Sequence, residues 1–148
     1  MPFLLVKPEP SSQIGERPKG SQAGFVETSG DGAPAYRFDY WLGDDLVGSP
    51  PVFLVTARIK DALAALDPLV RFKFTPVRAE ASPFFKQSSP GRELPAFWRW
   101  DVEGRPGVDD AGLWGGQDLV VSGRVFAALL SGRLEQAEFL QFRHQPRR

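Results

Sequence analysis

Two stretches of this chain pass from a short apolar run into the spacing of an amphipathic helix, and they do so through the same local sequence. The first reads Phe53-Leu54-Val55-Thr56-Ala57-Arg58-Ile59-Lys60-Asp61-Ala62-Leu63. Sixty-six positions on, Leu119-Val120-Val121-Ser122-Gly123-Arg124-Val125-Phe126-Ala127-Ala128-Leu129 repeats its grammar. In each, an apolar strand meets a hydroxyl residue suited to a helix N-cap, whose oxygen is expected to accept a hydrogen bond from a first-turn N–H. Ile59, Ala62, Leu63 and Leu66 then fall at i, i+3, i+4 and i+7, one face of a helix. Val125, Ala128 and Leu129 form the matching stripe, with Phe126 and Leu130 beside it. Those two extra apolar positions predict a second helix covered on two sides, by the domain or by another copy. Asp67-Pro68 is expected to stop the first helix and Gly132 the second. Val70, Phe72 and Phe74 alternate with Arg71, Lys73 and Thr75 as a strand with one wet face, and Glu138 to Phe142 reads as the closing strand.

The remaining elements follow from period and punctuation. Phe3 to Lys7 is a short strand closed by Pro8 and Pro10, and residues 8 to 22 read as loop. Ala23 to Thr28 is a brief strand, followed by a Gly/Asp/Pro turn over 29 to 34. Tyr36, Phe38 and Tyr40 alternate with Arg37 and Asp39, a half-buried strand. Ala79 to Pro95 is polar and proline-punctuated, with Phe84-Phe85 at its centre, and reads as loop. In Phe97-Trp98-Arg99-Trp100-Asp101-Val102, the two tryptophans and Val102 share one strand face. The approach Leu113-Trp114-Gly115-Gly116 parallels Trp41-Leu42-Gly43-Asp44-Asp45-Leu46 before the first copy. The whole predicts one α+β domain over residues 1–148. Its expected form is a mixed, mainly antiparallel sheet carrying two helices from an internal β-α-β duplication (36–77 and 113–142). Strands paired in parallel across each helix would need right-handed crossovers.

Composition narrows the picture. A chain of 148 residues suits one domain with a core of its own. Twelve phenylalanines and four tryptophans exceed what a disordered chain carries, so the 15 glycines and 14 prolines punctuate a compact fold. Without cysteine there is no disulfide, thiolate metal site or cysteine nucleophile. Lys plus Arg equals Asp plus Glu at 18 each, so no overall field draws the chain to nucleic acid or anionic lipid. The opening Met1-Pro2-Phe3-Leu4-Leu5-Val6-Lys7 lacks the form of a signal peptide, and no run of about 18 apolar residues occurs. The expectation is a cytoplasmic protein without a membrane span.

Chemistry is sparse. The single histidine, His144, lies in a basic tail and is poorly placed for a triad. Zinc would lack nitrogen and sulfur ligands, and no GxxxxGK phosphate loop is present. No catalytic residue, cofactor or metal is therefore assigned. The aromatic-basic run 97–100 suits a core strand better than base stacking, since no basic stripe surrounds it. Phe84 and Phe85 are candidate partner anchors, because two neighbouring rings cannot both point inward from a strand. The acid pairs Asp44-Asp45 and Asp109-Asp110 are candidate contacts that would steer a basic target.

Asp118-Leu119-Val120-Val121-Ser122, the Ala/Leu helix after it and the Phe-containing closing strand resemble the carboxy-terminal signature of a bacterial immunity-protein family. The resemblance covers 113–142, with a weaker echo at 36–77. Such proteins are encoded beside secreted or contact-delivered toxins and act by binding. The resemblance therefore implies a non-enzymatic protein that occludes a cognate toxin through Phe84, Phe85, Asp44, Asp45, Asp109 and Asp110. Two alternatives stand beside it. One is an assembly component pairing with its own copy through Phe126 and Leu130. The other is a small hydrolase or transferase using carboxylates and an anion site between Arg58 and Arg124.

Overall fold

The computed structural model describes residues 2–10, 24–26, 34–66 and 72–143. Within them lie strands β1 (Phe3–Lys7), β2 (Gly24–Val26), β3 (Ala35–Phe38), β4 (Leu46–Val47), β5 (Leu54–Val55), β6 (Lys73–Ala81), β7 (Phe97–Asp101), β8 (Ala111–Trp114), β9 (Asp118–Val121) and β10 (Glu138–Phe142). The helices are α1 (Ala57–Ala64), α2 (Pro83–Ser88) and α3 (Gly123–Leu129). The turn expected over 29–34 (all but Pro34), Asp67-Pro68, Val70 and the tail from His144 lie outside the described residues.

The fold is α+β, in two sheets rather than one. The six-stranded sheet runs β2-β3-β6-β7-β5-β4 and the four-stranded sheet β10-β1-β9-β8. Among the described strands only β3 and β6 pair in parallel, so the larger sheet is mixed and the pairings of the smaller one are antiparallel. The places β6-β7-β5-β4 and β10-β1-β9-β8 correspond one for one. In each unit a helix follows the second strand of a hairpin and leads to the strand two places away in the sheet: α1 joins β5 to β6, and α3 joins β9 to β10. Register corresponds as well. Val55 and Pro76 both face Trp98, while Val121 and Gln141 both face Leu4.

The strands flanking each helix are parallel to one another but do not touch. An antiparallel strand lies between them, β7 in one unit and β1 in the other. This replaces the direct parallel pairing expected from the sequence. It also places the chain's first strand in the middle of the last unit's sheet. The first unit begins at β4, and β3 is an addition to its flank rather than part of the repeat.

Inner faces of both sheets close on one core. Leu46, Phe53, Val55, Ile59, Leu63 and Trp100 from the first unit meet Val6, Leu119, Val121, Val125 and Leu129 from the second. Each such side chain contributes about 1.5–3 kcal/mol on burial. Helices α1 and α3 pack on each other where the units meet. A second cluster covers the outer face of the larger sheet: Tyr36, Phe38, Val47, Leu54, Val77, Phe85 and Phe97. Strand alternation divides the two clusters. On β5, Val55 points to the first and Leu54 to the second; on β7, Trp98 and Trp100 point to the first and Phe97 to the second.

Three local expectations are corrected. The stretch expected as loop around Phe84-Phe85 is α2, started by Ser82 as N-cap and Pro83 in the first turn. The Thr56 hydroxyl accepts no bond from its helix. Gly132 is not the terminus of α3, whose C-cap is Leu130. Gly132 instead lies against α1, where a Cβ would collide with the Ile59 side chain and come within 2.9 Å of Asp45 Oδ2.

Candidate functional site

All three described helices are started by a hydroxyl residue, and each hydroxyl donates to an aspartate eleven or more residues before it. Thr56 Oγ1 donates to Asp45 at 2.9 Å, Ser82 Oγ to Asp39 at 2.7 Å, and Ser122 Oγ to Asp110 at 2.6 Å. The two serines also accept from the first turn, from Phe85 N at 3.1 Å and Val125 N at 3.4 Å. The backbone adds a second tie, since Thr56 N and Ser122 N donate to the carbonyls of Asp45 and Asp110. Asp45 and Asp110 thus hold corresponding places in the two units.

The acid pairs are consequently turned toward the fold. Asp44 is fully buried. Its Oδ1 accepts Glu135 N at 2.8 Å, and its Oδ2 accepts Gln136 N at 2.8 Å and Ala137 N at 2.9 Å. Asp45 Oδ2 accepts Arg133 N at 2.6 Å. Together they fasten the segment leading into β10 onto the first unit. Asp110 receives both Nε and Nη2 of Arg124, at 2.8 and 2.7 Å, in a fork-to-fork pair. Asp109 accepts Arg105 N at 2.6 Å within its own turn and stays exposed.

Glu9, expected within a loop, completes this junction. It is buried and bridges to Val47. Its Oε2 accepts Leu42 N at 2.9 Å and its Oε1 accepts Asp44 N at 3.1 Å. Burial pushes the carboxyls of Glu9 and Asp44 upward, and the backbone N–H donors oppose that rise. Asp110 goes the other way, held below the usual carboxylate range chiefly by its hydrogen bond from Arg124.

These shifts fix the sign of a pH dependence. A lowered carboxylate stabilises the fold above the unfolded value, near 3.9, and loses that contribution as pH falls through the folded value. Raised carboxylates favour the fold on protonation. Asp110→Asn should therefore lower the urea midpoint at pH 7, and its curve should converge on that of the parent chain below about pH 4. Parallel curves across that range would show that the Asp110 charge contributes nothing.

The six candidate contacts do not gather into one surface. Asp44 and Phe85 are buried and offer nothing to a partner. Asp45 and Asp110 spend their carboxylates on helix starts. Phe84 is half-buried, edge-on to Tyr40 with centroids 5.7 Å apart. Of the proposed self-pairing residues, Phe126 packs on Phe139 at 4.9 Å, while Leu130 is 54% exposed. Arg124, one side of the suggested anion site, is already occupied by Asp110.

A different surface is open in part, at Leu5 and Leu140, while Gly112 and Val120 of the same row are buried. On the outer face of the four-stranded sheet, Gly112, Val120, Leu5 and Leu140 form one cross-strand row. Trp114 and Phe142 flank that row on opposite sides, and their rings meet edge-on across it with centroids 5.2 Å apart. Leu5, Trp114, Leu140, Gln141, Phe142 and Arg143 line a cleft of about 430 Å³. Leu140 is 47% exposed. Corresponding places in the first unit are filled differently: Arg99 stands for Leu5 and Thr75 for Leu140. There Thr75 Oγ1 donates to Asp101 at 2.8 Å, and Arg99 pairs with the same carboxylate at 3.5 Å. The row in the first unit is Val47, Leu54, Arg99 and Thr75, with the first two buried, so the second unit departs from it toward apolar residues at Leu5 and Leu140 alone. No sequence signal marked this face, because alternation along β10 does not say which side is covered.

Comparison with known proteins gives no match: no family model, curated protein or solved structure aligns with the chain. Among the described residues no group of three or more His, Cys, Asp or Glu side chains is placed to hold a metal ion, and no helix is long and apolar enough to cross a membrane.

Proposed function

We propose that this protein is a non-enzymatic immunity (antitoxin-like) protein that neutralises a cognate bacterial toxin domain by covering it. The observation that carries the reading is the outer face of the four-stranded sheet. Apolar Leu5 and Leu140 stand there at the two places that Arg99 and Thr75 hold in the other unit. An apolar patch beside polar rim residues is the form of a protein-binding surface. The segment that resembles the immunity family folds as β9, α3 and β10 of this same unit, so resemblance and surface coincide. The acids instead serve the scaffold, which moves the proposed contacts from the acid pairs to Leu5, Trp114, Leu140 and Phe142.

The test is co-expression with the product of a neighbouring toxin-like gene. A stable stoichiometric complex is expected on size-exclusion chromatography, together with survival of cells making both proteins. Cell death and separate elution of the two proteins would dismiss the reading.

A further inference from the structure

We infer that the free edge of β10 and the cleft beside it take up an extended segment of a protein partner as an added strand. This rests on the reading of the protein as a partner-binding module and names the surface and kind of ligand. Strand β10 ends its sheet: it pairs with β1 on one side, and no described strand lies on the other. Among the described residues no strand pairs with its outward N–H and C=O groups, and Glu138-Phe139-Leu140-Gln141-Phe142 contains no proline or lysine to discourage pairing. Two of the other sheet ends are closed down. Strand β4 is two residues long and bridged by Glu9. Strand β8 lies under the 104–106 turn, where a Cβ on Gly112 would collide with the Arg105-Pro106 backbone.

The chain already uses this mode once. In the first unit β6 holds the place of β10, and its continuation past that place, Arg78 to Ala81, carries β3 on the same outer side, alongside Ala35 to Phe38. Tyr36 and Phe38 of that added strand reach over the outer face, where Phe38 stacks on Phe97 at 5.1 Å. In the second unit no described strand lies on the outer side of β10.

Size decides between an extended segment and a second copy laid face to face. Four strands about 4.8 Å apart and five residues long at about 3.3 Å each present only about 300 Å². A stable interface needs about 800 Å² per partner. The face alone is too small for a stacked dimer. Ladder hydrogen bonds along β10 supply what it lacks, while the cleft receives alternate side chains of the segment. The ligand is therefore an extended peptide with apolar or aromatic residues at every second position, and with an acid near Arg143.

The experiment uses a random dodecapeptide phage library panned on the full chain. Counter-selection uses Leu5→Arg/Leu140→Thr, which carries the first unit's residues, and Leu140→Thr alone serves if the double variant is poorly folded by circular dichroism. Enriched peptides are expected to alternate apolar residues. They should shift amide resonances of residues 138–143 and the Trp114 indole, and bind the variant at least tenfold more weakly. Failure to enrich, or peptides whose shifts map elsewhere, overturns the inference. So does a concentration-dependent dimer dissolved by Leu140→Thr, which would give the edge to a second copy. If the variant protects cells from the toxin as well as the parent chain, this surface is wrong while the immunity reading stands. If peptides map to β10 and no protection is seen, the reverse holds.

Discussion

Deleting residues 1–7 will leave a chain that does not fold cooperatively. Joining Arg143 to Pro2 through a short linker, with the chain reopened between β1 and β2, will restore the fold. Strand β1 is the one element that pairs with both β9 and β10, so without it the closing strand has no described neighbour. Val6 is fully buried, and Leu4 packs on the same core. Losing these two side chains costs about 3–6 kcal/mol in transfer terms. Opening the backbone ladders on both flanks adds to that, against a typical total stability of about 5–15 kcal/mol. The permutant should succeed because Phe3 lies directly opposite Phe142, so the start of β1 and the end of β10 are already neighbours. Its second unit would then be continuous, as the first is from β4 to β7. The measurements are urea unfolding followed by tryptophan fluorescence and amide spectra of both proteins. A truncated chain with a sharp transition near that of the parent, or a permutant without one, would show that β1 is dispensable or that its place in the middle of the sheet is wrong.

That arrangement also explains what the sequence could and could not reveal. The two strand–cap–helix units were legible because their determinants are local: apolar runs ending at Thr56 and Ser122, then stripes through Ile59–Leu63 and Val125–Leu129. The division into two sheets was not, because the middle strand of each comes from elsewhere in the chain. Nothing in Phe3–Lys7 says that its partners lie more than a hundred residues away. Helix α2 was hidden by its own start signal, since Ser82-Pro83 reads equally as a loop and as an N-terminus.

Candidate contacts failed for a related reason. Acid pairs after glycine in turn-rich stretches look solvated in sequence. Here Asp45 and Asp110 serve hydroxyl caps eleven and twelve residues further on, and Asp44 serves N–H groups more than ninety residues away. The open face was hidden differently. Leu5 and Leu140 look like ordinary strand residues until Arg99 and Thr75 are set beside them, and that comparison exists only once the register is known.

Asp44→Ala will destabilise the protein by about 3 kcal/mol, and Asp44→Asn by about half as much. In the parent chain the carboxylate satisfies three consecutive N–H groups, of Glu135, Gln136 and Ala137, at a position closed to water. Alanine leaves those donors without their acceptor, and each partly buried orphan costs on the order of 1–3 kcal/mol less whatever water recovers. Asparagine keeps one oxygen. Turned toward Gln136 and Ala137, that oxygen preserves two bonds and sets its amide against Glu135 N alone. Because burial already disfavours the Asp44 charge, the amide also escapes the desolvation that a carboxylate incurs. The loss should be local before it is global. Hydrogen exchange at Glu135, Gln136 and Ala137 should accelerate in Asp44→Ala more than at Leu119–Val121, since the released segment is the one that delivers the chain into β10. Uniform acceleration across both sheets would mean that Asp44 supports the core as a whole. Unchanged exchange at 135–137 would mean that the three bonds hold nothing in place.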